Sequence, residues 1–144
     1  MNELYQQLII DHGRHPRNHC ACDQATHTHE GYNPLCGDKV KIYVEVEEDC
    51  IRQLTFEGTG CAISMASASM MTDALKDKSV DEAKKVFYAF RDVVTGEQQA
   101  SENLGKLGVL AGVSAYPMRV KCATLAWHTF MSAIENSNET VTTE

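Results

Sequence analysis

The sequence predicts an α+β domain, with strands gathered in its first half and helices in its second. Three observations carry this. Val40, Ile42, Val44 and Val46 alternate strictly with Lys41, Tyr43, Glu45 and Glu47, the period of a half-buried strand. Val80, Ala83, Val86, Phe87, Phe90, Val93 and Val94 recur at helical spacing behind Ser79 and Glu82, an S-x-x-E capping box, and stop at Gly96. Val120, Ala123, Trp127, Phe130, Met131 and Ile134 form one apolar face of a last helix. Strands followed by helices pack as layers, and 144 residues with 43% apolar content suffice for one core without disulfide staples.

In chain order, residues 3–11 place Leu4 with Leu8 and Tyr5 with Ile9 at i, i+4, a short amphipathic helix for which Asn2 is an available cap. Arg14 to Cys22 lacks periodicity and reads as a loop. A weakly alternating strand is expected in ATHTHEGY, residues 25–32. The main strand follows, and residues 51–58 return as its hairpin partner through Glu48 and Asp49, although Ile51 is out of phase with Leu54 and Phe56. After Gly58 and Gly60 the Ala-, Met- and Ser-rich run from Cys61 to Asp77 suits a closely packed helix. Gly105, Gly108, Gly112 and Pro117 break residues 97–118 into loop or short helix. NSNETVTTE has nothing to bury and is expected to fray.

Composition narrows the function. A formal charge of -7 without a basic patch argues against nucleic acid. The amino-terminal stretch has an acid and only a short apolar run, so neither a leader nor a membrane span is expected, and the chain is expected in the cytoplasm. Six cysteines in a reducing compartment point to metal or catalytic chemistry rather than disulfides.

Three of those cysteines occupy suggestive places. Cys36 and Asp38 flank Gly37 in NPLCGDK, Cys61 follows a Gly-x-Gly loop into a helix, and Cys122 is expected near the start of the last helix, behind Arg119 and Lys121. Helix starts and nearby cations favour thiolates. Three sulfurs and one oxygen suit tetrahedral zinc, or an iron–sulfur cluster in which the carboxylate weakens retention. Without a paired C-x-x-C, spacing alone leaves buried structural cysteines as an equal alternative.

NPLCGDK, then EGTGCAISMASASMMT, then RVKCATLAW, in that order and across nearly the whole chain, resemble the U-type proteins of iron–sulfur cluster biogenesis, the IscU/SufU family with its NifU N-terminal-like domain. LYQQLIIDHGRHPRN is similar to that family's opening helix and loop. The resemblance implies one domain over residues 1–137 with a disordered tail at 138–144, a three-stranded antiparallel sheet under helices, and a metal site of Cys36, Asp38, Cys61 and Cys122. In the cluster-scaffold branch a histidine precedes the last cysteine, near a Leu-Pro-Pro-Val-Lys type chaperone motif; here Lys121 stands in the histidine's place, within YPMRVKC. The span between Cys61 and Cys122, positions 62–121, is also longer than in that branch. Both features resemble the SUF type.

That likeness implies Zn²⁺ on the four residues, Cys36 as catalytic acceptor of persulfide sulfur, and Arg119 and Lys121 offsetting the charge behind the ligands. The implied partners are a PLP-dependent cysteine desulfurase, one of whose groups replaces Cys36 on the metal, and a downstream SUF-type scaffold or other sulfur acceptor. The alternative is a scaffold on which iron or a transient [2Fe–2S] cluster is assembled on the same residues and handed on; a purely structural zinc module is a third reading.

Other residues invite blander readings. His12, His15, His19, Cys20 and Cys22 suggest a second metal site, but a loop of scattered donors is more often solvated. His27 and His29 are expected at the surface, Cys50 as a bystander in the acidic turn, and His128 packed beside Trp127. Gly58-Thr59-Gly60 lacks the lysine and third glycine of a phosphate loop and reads as room for the chain to turn Cys61 inward. Basic residues at 14–17 and in 113–121 mark the expected partner surface.

Overall fold

A helix, a three-stranded meander and a run of helices follow one another along the chain, in the order the hydrophobic pattern predicts. The computed structural model describes residues 3–98, 102–135 and 141–142. Its elements are α1 (Glu3–Arg14), β1 (His27–Asn33), β2 (Asp38–Glu47), β3 (Cys50–Thr59), α2 (Ala62–Leu75), α3 (Val80–Val94), a 3₁₀ segment (Glu102–Ala115) broken at Gly105, α4 (Pro117–Ile134) and the two-residue β4 (Val141–Thr142). The expected Asn2 cap lies outside the described residues.

The sheet order is β3-β2-β1-β4, with β1, β2 and β3 antiparallel. Val141 and Thr142 pair in parallel with Gly31 and Tyr32, so this part of the expected frayed tail adds a short fourth strand; residues 136–140 and 143–144 lie outside the described residues. The out-of-phase Ile51 is explained by a bulge. Val46 pairs Ile51 while Glu45 pairs Gln53, which leaves Arg52 as the extra residue. The bulge returns Ile51 to the core face, where it is fully buried with Leu54 and Phe56. Glu48 and Asp49 both have positive φ, 52° and 64°, as a two-residue hairpin turn of the right twist requires.

One face of the sheet is covered by α4, which lies on β1 and β2, and by α2, which lies on β3 and α4. The close approach has a local cause: a side chain at Gly31 would overlap Thr129 of α4. Both helices are buried on most sides, as their largely apolar or small residues demand. Trp127 stacks on Phe90 with ring centroids 4.3 Å apart, and its indole N–H donates to Ser67 Oγ at 3.0 Å. Ser67 in turn donates to the Ala123 carbonyl, so the polar atoms of Ser67 and Trp127, buried between α2 and α4, are satisfied. α3 starts at the predicted capping box, with Ser79 Oγ accepting from the Glu82 N–H at 3.1 Å. This packing fixes the ends of β2, α2 and α4 relative to one another, and the candidate site lies among those ends.

Candidate metal centre

The site begins with strand pairing. Asn33 and Asp38 are the last paired residues of the β1–β2 hairpin, so Pro34, Leu35, Cys36 and Gly37 form a four-residue turn beyond the sheet. Gly37 has φ +70°, a conformation glycine adopts without cost, and a Cβ there would meet nothing within 4 Å. Its requirement is conformational. Cys36 on this turn is half-buried, whereas Asp38, the first residue of β2, is wholly buried.

Asp38 is held by the second segment. The backbone N–H of Cys61 donates to Asp38 Oδ1 at 2.8 Å, and Cys61 Sγ lies 3.9 Å from Oδ2. Cys61 is the N-cap of α2, and its sulfur accepts from the Ser64 N–H at 3.4 Å. That is the helix-start position expected of this cysteine. Gly60 leaves the room: a Cβ at this position would overlap Asp38 Oδ1.

Cys122 departs from expectation. Because α4 begins at Pro117, Cys122 falls in its second turn, past the free N–H groups, and is 2% exposed. Burial first, then hydrogen bonds with Cys36, Asp38 and Cys61, push its thiol above the ordinary range. Its sulfur lies 3.2 Å from Cys36 Sγ. One donor atom each from Cys36, Asp38 and Cys122 lie within 4.8 Å of one another, the one group of three such donors among the described residues. Cys61 stands at its edge and joins Cys36 and Cys122 in lining a cavity of about 620 Å³.

The donor set fits a soft divalent ion. Asp38 is a buried carboxylate with no basic side chain paired to it among the described residues. A cation supplies the compensation that burial demands, and coordination ionises a thiol outright. Three sulfurs with one carboxylate oxygen match zinc's preferred ligands.

The cations expected behind the ligands are placed differently. Arg119 lines the cavity, with its guanidinium 4.8 Å over the Tyr116 ring, while Lys121 is half-buried and not among the lining residues. The contact that composition does not point to is Asn33, fully buried, whose Nδ2 lies 3.5 Å from Asp38 Oδ2 and 3.7 Å from Cys122 Sγ. Its position opposite Asp38 across a four-residue turn is the available signal. Around the mouth, Ile10, Leu35, Tyr116 and Met118 are exposed, so the 113–121 surface is apolar as well as basic.

The second group of donors does not converge. His12 is buried with Nδ1 2.8 Å from Ser69 Oγ, His19 stacks on Phe56, Cys22 donates to Gln53 Oε1, and Cys20 is exposed. His27 and His29 are partly exposed, as expected of surface residues, and His27 Nδ1 lies 2.8 Å from Thr26 Oγ1. His128 sits edge-on to Phe87, and burial lowers its pKa.

The family model for the NifU-like N terminal domain matches residues 4–123, which include all four converging residues. The chain belongs to that family. NifU-like relatives include the iron-sulfur cluster assembly scaffold protein IscU of Streptococcus pyogenes serotype M1, 41% identical over 95% of this chain and 86% of that protein. The zinc-dependent sulfurtransferase SufU of Bacillus subtilis (strain 168) is also 41% identical, over 88% of this chain and 86% of that protein. Among solved structures, a putative iron-sulfur cluster assembly scaffold protein for the SUF system from Fervidobacterium islandicum AW-1 superposes with a TM-score of 0.83 at 33% identity, covering 89% of this chain and 94% of that one. The NifU-like three-stranded antiparallel sheet with helices is thus the architecture of this chain. No helix among the described residues is long and apolar enough to cross a membrane.

Proposed function

We propose that this NifU-like protein acts in iron–sulfur cluster biogenesis as a zinc-dependent sulfurtransferase. Cys36 takes persulfide sulfur from a PLP-dependent cysteine desulfurase, speeds that enzyme's turnover, and passes sulfur to a downstream SUF-type scaffold or other acceptor in the cytoplasm. The observation that carries the reading is the asymmetry of the site. Asp38 and Cys61 are tied to each other and to the start of α2, and Cys122 is buried in α4, whereas Cys36 rides on an open turn at the cavity mouth. Similarity to the Bacillus subtilis protein named a zinc-dependent sulfurtransferase supports it.

Zinc would be held by Asp38, Cys61 and Cys122, with Cys36 as fourth ligand at rest; bound there, it would keep the coordinating thiols ionised and balance the buried carboxylate. The turn then does the work of release. Cys36 would be the residue free to move while the other three keep their positions, and its thiolate would attack the outer sulfur of the donor persulfide. The bond from Cys36 to that sulfur forms as the donor's S–S bond breaks. The donor cysteine departs as its thiolate, the persulfide proton stays with the transferred sulfur, and no net oxidation occurs. The apolar and basic rim, Leu35, Tyr116, Met118 and Arg119, is the surface on which the donor would sit.

Alanine production by the desulfurase, measured with zinc-loaded protein, with metal-free protein and with Cys36→Ala, tests the reading. Acceleration only by the zinc-loaded wild type is expected; equal acceleration by Cys36→Ala would refute it. The second reading, a platform for [2Fe–2S] assembly, draws on the same clustered donors and on the relative named as a scaffold. It predicts a stable, transferable cluster after anaerobic reconstitution and no dependence of the desulfurase on zinc.

A further inference from the structure

Asn33 is hard to explain by stability. Its side chain is fully buried at the end of β1, yet its Oδ1 has no hydrogen-bond partner among the described residues. An unsatisfied buried carbonyl is a cost, and an apolar residue of similar size would avoid it. Its amide N–H₂ group faces the site, with Asp38 Oδ2 at 3.5 Å and Cys122 Sγ at 3.7 Å. The first distance is long for a hydrogen bond to a carboxylate, and the second is ordinary for one to sulfur. The opposite amide orientation would set an acceptor against a carboxylate and a sulfur, so the donor assignment follows from the neighbours.

Backbone geometry gives the same answer. Asn33 and Asp38 are cross-strand partners at the root of the turn, so their relative placement is fixed by the β1–β2 ladder rather than by the turn itself. Cys122 reaches the same point from α4, which packs on β1. Asn33 therefore bridges the strand ligand and the helix ligand, and its amide contacts do not include the turn residue Cys36.

We propose that Asn33 is a positioning residue of the metal centre. Its amide holds Asp38 and Cys122 in place and offsets part of their negative charge, so that a bound metal group is retained. This inference rests on the metal-site reading above but not on sulfur transfer: it holds equally if the occupant is zinc or an iron–sulfur cluster.

The test uses the full chain without desulfurase. Zinc retention is measured by competition with a chromophoric chelator for the wild type, Asn33→Ala and Asn33→Asp, and the thermal midpoint is measured for each with and without zinc. Outer-layer partners of metal ligands are commonly worth about 10–100-fold in affinity. Asn33→Ala is expected to weaken retention within that range. Asn33→Asp, which keeps the shape but replaces the donors by a further negative charge, is expected to weaken it more. The metal-free midpoint should be little changed in Asn33→Ala and lowered in Asn33→Asp, which buries a second carboxylate beside Asp38, while the rise on adding zinc shrinks in both variants. A residue with only a structural role would instead lower the metal-free midpoint of Asn33→Ala and leave its increment from zinc intact. Wild-type zinc retention in both variants would overturn the assignment. Failure of the wild type to accelerate the desulfurase would count against sulfur transfer alone, and the ranking of the three proteins in zinc retention would still decide the role of Asn33.

Discussion

Two segments of this chain are rich in metal-binding side chains, and they behave oppositely. HGRHPRNHCAC holds three histidines and two cysteines within eleven consecutive residues, yet the structure disperses them to Ser69, Phe56, Gln53 and solvent. NPLCGDK holds one cysteine and one aspartate, and two more cysteines arrive from distant helices to meet them. The difference lies in what fixes the backbone. The first segment is the end of α1 and the loop that follows it, anchored to β3 and α2 by its side chains, with Arg17 N–H and His12 sharing Ser69 Oγ. The second is the tip of a hairpin whose root is set by the sheet register and whose opposite wall is built from the start of α2 and the first two turns of α4. Density of donors along a sequence is therefore a poor guide to a site, and convergence of element ends is a better one.

Substitution at the convergent site should break function outright. Cys36→Ala is expected to abolish sulfur acceptance while keeping part of the zinc, because Asp38, Cys61 and Cys122 are positioned independently of the turn. Intact-mass analysis after exposure to desulfurase and cysteine checks this, and full sulfur loading of the variant would remove Cys36 from its role. Asp38→Ala comes next. Losing the one hard ligand and the acceptor of the Cys61 N–H should reduce zinc retention by at least about 10–100-fold, read by chelator competition. Gly60→Ala probes the same carboxylate without touching a donor, since its methyl would displace Asp38 Oδ1; about a 10-fold loss of retention is expected.

The dispersed segment sharpens the contrast from the other side. A Cys20→Ala, Cys22→Ala double substitution should leave zinc content unchanged and cost about 1 kcal/mol of folding stability through the lost Cys22 to Gln53 contact. Zinc loss in that protein would erase the distinction between the two segments. The smallest effect concerns His12, whose pKa burial lowers, with Arg17 adding to the shift. The folded state thus prefers the neutral ring. That preference costs nothing above the ordinary histidine value of about 6.5, and stability is lost as pH falls from there through the lowered folded value. Urea unfolding of the metal-free protein between about pH 7.5 and about 5.5 should show this decline, and His12→Gln should flatten part of it.

Much of this is legible in the sequence, for identifiable reasons. The β2 alternation, the capping box at Ser79 and the apolar face of α3 are local patterns, and local patterns survive into the fold. Ile51 resists such reading because a bulge is a property of two strands together. Cys122 reads as a helix-start thiol because its distance from Pro117 does not say where α4 begins; Pro117 is its first residue, which puts the cysteine one turn deeper and buries it. Arg119 and Lys121 are the charges adjacent in sequence, whereas the side chain in contact with both Asp38 and Cys122 is the neutral Asn33, adjacent across the ladder. Val141 and Thr142 carry no signal of their own and pair only because β1 offers a free edge.

The most direct single measurement is native mass spectrometry of the zinc-loaded wild type after reaction with the desulfurase and cysteine, followed by peptide mapping under non-reducing conditions. One added sulfur located on Cys36, with zinc still bound to the same molecules, is the result expected of a movable acceptor beside a held metal. Sulfur on Cys61 or Cys122, or zinc released in step with sulfur uptake, would contradict it.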